Sequence, residues 1–206
     1  MPRMGLTPEI VVATAARLAD SDSDGLDAVS LSVLASTLGV RVPSLYKHIG
    51  GLDDLHRRMA AAGMASLAAA LQRAADGRQG RDALVSIAQA YRRFARLHAG
   101  QYQALIRVSG PGAEHAEDAR RIVDLLTVVA AQYKLKGDDA VHAVRGIRAA
   151  LHGFVALEVA GGFGDSESVE ASFYSMVAMI DRGLGGWTQP GKSRSGLLGA
   201  LLRPLS

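Results

Sequence analysis

Arg41, Ser44, Tyr46, Lys47 and His48 crowd into one short segment, and together they carry the clearest chemistry in this chain. Each can donate a hydrogen bond, two are cationic and none is acidic. Such a set suits nucleic acid. Arg and Lys reach guanine edges or phosphates, Ser donates to either, and Tyr and His bond phosphate oxygens. Val42 and Pro43 add apolar surface for a thymine methyl. Other constellations fail on spacing or context. Glu114-His115-x-Glu117-Asp118 holds metal-capable groups but reads as a solvated helix start. His142 and His152 stand too far apart on one predicted helix to share a metal, and no metal or cofactor is expected. His152 and Glu158 do not share a helix face well enough to form a catalytic pair. Gly161-Gly162-x-Gly164 follows a predicted helix, not a strand, so it is no nucleotide loop. No nucleophile motif occurs, and no enzyme is expected.

The elements that must position the polar cluster are helices. From Leu31 to His48 the chain reads LSVLASTLGVRVPSLYKH. Leu31, Leu34, Ala35 and Leu38 make one apolar face, Gly39 to Val42 turn the chain, and Leu45 points inward from the next helix. Two short helices joined by a tight glycine-containing turn form a helix-turn-helix, whose second helix enters the major groove. Ahead of it, Thr7 caps a helix that Pro8 and Glu9 favour and that runs to about Asp20. Ser30 caps the next, over 30–38, and a third spans 42–48. Further helices are predicted at 52–75, 82–98, 101–108, 114–133, 138–159 and 166–184. The chain is therefore expected to be all-α, with about nine helices. The expected division is a DNA-binding domain over 1–52, a helical bundle over 53–185 for ligand binding and dimerisation, and a mobile tail over 186–206.

Composition bounds the reading without locating the site. Hydrophobic residues make up 49% and charged residues 21%, as in a soluble globular chain. Cysteine is absent, which excludes disulfides and thiolate metal sites and fits a reducing cytoplasm. Met1 to Gly5 lead into a helix start rather than a signal peptide, and no apolar run suits a membrane span. The net charge is +3, yet residues 1–58 hold six Lys/Arg against seven Asp/Glu. Bulk charge does not mark a nucleic-acid surface, so the cluster at 41–48 must do so locally. A helical adaptor whose helix-turn-helix-like unit contacts protein stays open on these residues alone.

The pattern Leu34-Ala35-x-x-Leu38-Gly39-Val40-x-x-Pro43-Ser44-Leu45-Tyr46-Lys47-His48 resembles the signature of the tetracycline-repressor (TetR) family. The resemblance covers Thr7 to about Met59. It implies a three-helix DNA-binding domain followed by a larger helical domain for dimerisation and ligand binding. Carried over by position, it makes Arg41, Val42, Pro43 and Ser44 base-proximal, and Tyr46 and His48 phosphate-contacting, while Lys47 touches base or phosphate. Ser32 stands where many members carry a basic or polar contact residue. Gly51-Leu52-Asp53-Asp54 stands where many carry a lysine. A shallow salt dependence of DNA binding follows from those departures.

Leu151-His152-Gly153-Phe154, with Glu158 and Gly161-Gly162-Phe163, resembles the regulatory domain of a subgroup named for a Trp…His-Gly motif. Arg148 occupies the place of the tryptophan. Ala143, Gly146, Ala150 and Gly153 put small residues on one helix face, and Phe173, Val177, Ile180 and Leu184 repeat on the last helix. The family resemblance implies that these two helices build a homodimer; the alternative is an intramolecular core. A dimer would set two reading helices about 34–36 Å apart on a palindromic operator. The resemblance also implies an apolar pocket for an unidentified small effector, expected among Tyr91, Phe94, His98, Tyr102, Ile106, Arg121, Leu125, Arg148 and Phe154. The expected partners are thus double-stranded DNA, a second copy of the chain and that effector, with no membrane.

Overall fold

A computed structural model describes residues 5–108, 116–164 and 166–187. The tail expected to be mobile lies almost wholly outside the described residues, as do Glu114 and His115. Nine α-helices and one 3-10 turn make up the described chain, with no strand among the described residues. They are α1 (Pro8–Ser21), α2 (Leu31–Leu38), α3 (Val42–Leu45), α4 (Leu52–Ala75), α5 (Gly80–Leu97), α6 (Ala99–Arg107), α7 (Ala116–Gln132), α8 (Asp138–Val159) and α9 (Val169–Gly185).

Helix starts follow local chemistry. The Thr7 hydroxyl accepts the Ile10 amide at 3.3 Å, and Pro8 occupies the first helical turn. Ser30 accepts from Val33 at 3.2 Å to start α2. Ser168 accepts from Ala171 at 3.2 Å, and this cap starts α9 later than the sequence pattern predicts. The 3-10 turn Gly25–Ala28 falls in and after a stretch the sequence reads as loop. The third helix is shorter than the predicted 42–48. After Leu45 the chain tightens, with the His48 amide bonding the Leu45 carbonyl at 2.8 Å, ahead of Gly50-Gly51.

Two buried clusters organise the molecule. The first joins Val11, Ala15 and Ala19 of α1 to Leu34 and Ala35 of α2, Leu45 of α3, and Leu55, Met59 and Ala60 of α4. The second joins Leu67 and Leu71 of α4 to Leu84 and Ile87 of α5, Leu126 of α7, Ile147 of α8, and Phe173 and Val177 of α9. Helix α4 thus belongs to both clusters, and the expected boundary at 52/53 falls at its first residue rather than between independent cores.

Helix α6 closes the seam. Gly100 lies so near α1 that a Cβ there would sit 2.2 Å from the Ala19 Cβ and 2.5 Å from its carbonyl carbon. The Asp20 carboxylate accepts the amides of Gly100 at 3.0 Å and Gln101 at 3.2 Å, filling donors that a helix start leaves open. Elsewhere Arg92 fastens α5 to α8 and α9. It bonds Glu158 twice at 2.7 Å and Glu170 at 2.5 Å, and lies 4.7 Å over the Phe173 ring. Glu158 is therefore a structural partner and not a companion of His152. Gly100→Ala is expected to destabilise the chain by about 1–3 kcal/mol, because backbone must move to admit the methyl group. A denaturation midpoint unchanged from wild type would refute the close approach.

Candidate nucleic-acid interface and regulatory cleft

The turn that aims α3 is fixed by backbone geometry. Gly39 ends α2 with φ 66° and ψ 30°, a left-handed conformation that favours glycine. Its amide bonds the Ser36 carbonyl at 3.1 Å, and the Val40 amide bonds the Ala35 carbonyl at 2.9 Å. These are the two bonds of a Schellman motif. Pro43 then sits in the first turn of α3, and Leu45 is fully buried under it. With Leu45 and Ile49 as anchors, Arg41, Pro43, Tyr46 and Lys47 face solvent, and Val42, Ser44 and His48 are half-buried. Tyr46 is 58% exposed although it is a large aromatic residue. Ser32 is exposed on α2. The seven residues of the 41–48 segment expected to contact DNA, and Ser32 at the family's contact position on α2, are thus at least partly accessible.

A further positioning residue lies where the sequence shows only an acidic helix start. Asp54 accepts the Gly50 amide at 2.8 Å, across the turn from α3 into α4. It also accepts from Arg58 at 2.8 Å and Arg57 at 3.3 Å. The Gly50 amide, followed by Arg58, holds the carboxyl below the usual aspartate range. The sequence signal was available: an acid in the first turn can reach back to the amides before the helix.

A cleft of about 340 Å³ opens between α4, α5, α7 and α8. Its wall includes Met64, Leu67 and Leu71 of α4, Ile87 and Tyr91 of α5, Ile122 and Leu126 of α7, and Arg145, Arg148 and His152 of α8. Of the nine residues expected to line a pocket, Tyr91 and Arg148 do so. Tyr102 is buried behind the wall and shares a 2.8 Å hydrogen bond with Nδ1 of His152. Burial pushes the phenols of Tyr91 and Tyr102 above their ordinary ionisation range, so both are neutral.

The other six do not line this cleft. His98 pairs with Asp20 at 3.2 Å in the seam, and Phe94 packs on its ring at 5.1 Å. Arg121 is solvent-exposed and paired with Glu117 and Asp118 on its own helix. Ile106 faces outward at 39% exposure, and Leu125 packs on the core without lining the cleft. Phe154 stacks between Phe163 and Phe173. Arg145 and Met64 are lining residues that the sequence reading missed. Arg145, Arg148 and His152 recur at helical spacing, which places them on one face of α8.

The residues expected at a dimer surface also divide. Ala143, Phe173, Val177 and Leu184 are buried in the chain's own core, which removes them from any surface between copies. Gly146 and Gly153 are exposed, and Ala150 and Ile180 are half-buried.

Comparison with known proteins decides what this arrangement belongs to. Residues 84–180, from α5 into α9, match the family described as Tetracyclin repressor-like, C-terminal domain. YobS of Bacillus subtilis strain 168, described as an uncharacterised HTH-type transcriptional regulator, is 35% identical over 185 residues, covering 89% of this chain and 95% of YobS. The chain belongs to the TetR family. It is a DNA-binding transcriptional regulator, not an enzyme. A protein of unknown function from Rhodococcus sp. RHA1 has a similar structure, with a TM-score of 0.73 at 26% identity over 89% of this chain and 97% of that one. The Streptomyces coelicolor TetR family protein ActR, solved in complex with (S)-DNPA, shares the fold at a TM-score of 0.63 and 18% identity, over 88% and 98% of the two chains. No helix among the described residues is long and apolar enough to cross a membrane.

Asp54→Asn is expected to cost about 1 kcal/mol of stability at neutral pH, as loss of a helix cap does. A depressed carboxyl stabilises the fold above its unfolded pKa, near 3.8, and loses that contribution as pH falls through the folded value. The gap between wild type and Asp54→Asn in urea titrations should therefore close below about pH 4; a gap constant from pH 7 to 3 would contradict the ionic role.

Proposed function

We propose that this TetR-family chain is a homodimeric repressor that binds a palindromic operator and is released by a small, largely apolar effector. The observation that carries the reading is the double membership of α4. Its first half packs under the helix-turn-helix through Leu55 and Met59, and its second half walls the cleft through Met64, Leu67 and Leu71. Met59 and Met64 are about 7.5 Å apart along the helix axis. A molecule seated in the cleft therefore touches the helix that supports α3. The (S)-DNPA complex of ActR supports a ligand-binding role for this fold.

The outer surfaces of α8 and α9 support the dimer. A Cβ at Gly146, Gly153 or Gly183 would meet nothing within 4 Å. Leu157 at 52% exposure and Met179 at 58% add apolar area to that face. Pairing α8 and α9 of two copies would cover it and set two copies of α3 for one turn of operator DNA.

Gel shifts against the promoter flanking the gene test the reading; a folded dimer with no DNA affinity at any salt would end it. Tyr46→Ala should weaken every site alike, since a phosphate contact carries no sequence information. Arg41→Ala should change site preference, by about 1–3 kcal/mol at one position. Equal losses on all sites for Arg41→Ala would contradict its base-reading role. With Arg41 and Lys47 as the cations of each reading unit, log affinity should fall against log salt with a slope no steeper than about −4 for the dimer. A slope twice as steep would mean that phosphate contacts lie elsewhere.

A further inference from the structure

We propose that the cleft takes an amphipathic anion: a small molecule with an apolar body and one carboxylate or similar oxyanion head, held by Arg145 and Arg148. The inference rests on the ligand-released reading and narrows its effector. The floor is apolar, from Met64, Leu67, Leu71, Ile87, Ile122 and Leu126. The polar groups belong to Arg145, Arg148, His152 and Tyr91, and among the described residues no carboxylate side chain lines the cleft.

What sets the two arginines apart is their place on an apolar cleft, since Arg41, Arg93 and Arg96 also have no ion pair among the described residues. Arg57, Arg58, Arg92, Arg107 and Arg121 each face an acid within 3.3 Å. Arg145 and Arg148 have no ion pair among the described residues, although they stand one helical turn apart on the same face of α8. Both are exposed, so they stay hydrated while the cleft is open. An apolar body that covers the floor also displaces water from the rim, and attraction between guanidinium and oxyanion then strengthens. A neutral ligand would leave two cations against its own apolar surface, and a cationic ligand would be repelled. Tyr91 is neutral, and its hydroxyl and that of Tyr102 already meet the Nδ1 atom of His152, at 3.3 and 2.8 Å, which leaves the arginines as the groups for a charged head. The volume, about 340 Å³, lies at the small end of the roughly 300–1,000 Å³ typical of ligand pockets. A compact monoacid fits better than a large polycyclic molecule.

The test is titration calorimetry on the full chain with octanoate and 4-phenylbutyrate as anions, octan-1-ol as the neutral analogue and octyltrimethylammonium as the cation. At least one anion should bind saturably, and the alcohol and the ammonium at least tenfold more weakly. The double variant Arg145→Gln/Arg148→Gln, both positions exposed, should melt like wild type and lose at least tenfold in anion affinity. The inference is overturned if the alcohol binds as tightly as the acids, if the double variant keeps wild-type affinity, or if neither acid binds. Gel shifts with the same probes separate this inference from the reading beneath it. An acid that binds through the arginines without freeing DNA leaves the anion site standing and removes ligand release. Release by octan-1-ol, unaffected in the double variant, does the reverse.

Discussion

The approach of α6 to α1 at Gly100 governs how the two halves of this molecule meet. Any side chain at that position would separate the helices, because a Cβ would fall 2.2 Å from that of Ala19. The contact matters because of what it brings within reach. Asp20 closes on the open amides at the start of α6, where a carboxylate also favours the helix dipole. One turn on, Gln103 accepts the Leu26 amide at 2.8 Å. At the end of the helix, Arg107 meets Asp27 at 2.6 Å. Positions 100, 103 and 107 lie on one face of α6, so the helix is pinned to the DNA-binding half along its length.

The other side of the same helix looks toward the cleft. Tyr102 is buried, and its hydroxyl meets His152, which lines the opening. A ligand that moves His152 therefore acts on a helix already fastened to the DNA-binding half. Helix α4 makes the second connection, through packing alone. Coupling requires that the displacement not be absorbed locally, and Arg92 addresses this. Its bonds to Glu158 and Glu170 tie α5, α8 and α9 together. Breaking the Arg92–Glu158 pair would leave a buried charge unpaired, so separating α5 from α8 is costly. A ligand still shifts the equilibrium only by its difference in affinity for the two arrangements.

What the sequence made legible was local. Thr7, Ser30 and Gly39 mark helix ends because capping involves residues three or four apart, and the structure has those caps. The nine helices of the described residues and the helix-turn-helix were readable for the same reason. The seam and the Arg92 cluster were not, because Asp20, Gln103 and Arg92 find partners some 66 to 81 residues away. Periodicity also cannot tell which copy of a chain covers an apolar face. Phe173, Val177 and Leu184 recur like interface residues, yet they fill their own core. The cleft posed a different difficulty. Aromatic residues drew the pocket expectation toward Phe94 and Phe154, which pack against other rings. The more informative pattern was the polar one, Arg145, Arg148 and His152 on one face of α8.

The slightly acidic balance of residues 1–58 acquires a physical meaning once the partners are known. Asp20, Asp27 and Asp54 do not act on DNA as free charges, because each is paired: Asp20 and Asp54 with backbone amides, and Asp27 at the surface with Arg107. Asp20 and Asp27 fasten α6, and Asp54 holds the turn beneath α3 while partly neutralising Arg57 and Arg58. That leaves Arg41 and Lys47 as the cations on the reading segment itself. A surface with so few charges gains little from generic attraction to phosphate, so affinity depends more on base contacts and on the rigidity of their support. The Schellman turn at Gly39 and the buried Leu45 supply that rigidity. In the dimer proposed above, the same economy would favour regulation: where nonspecific attraction is weak, a change in the spacing of two reading segments would remove much of the binding energy.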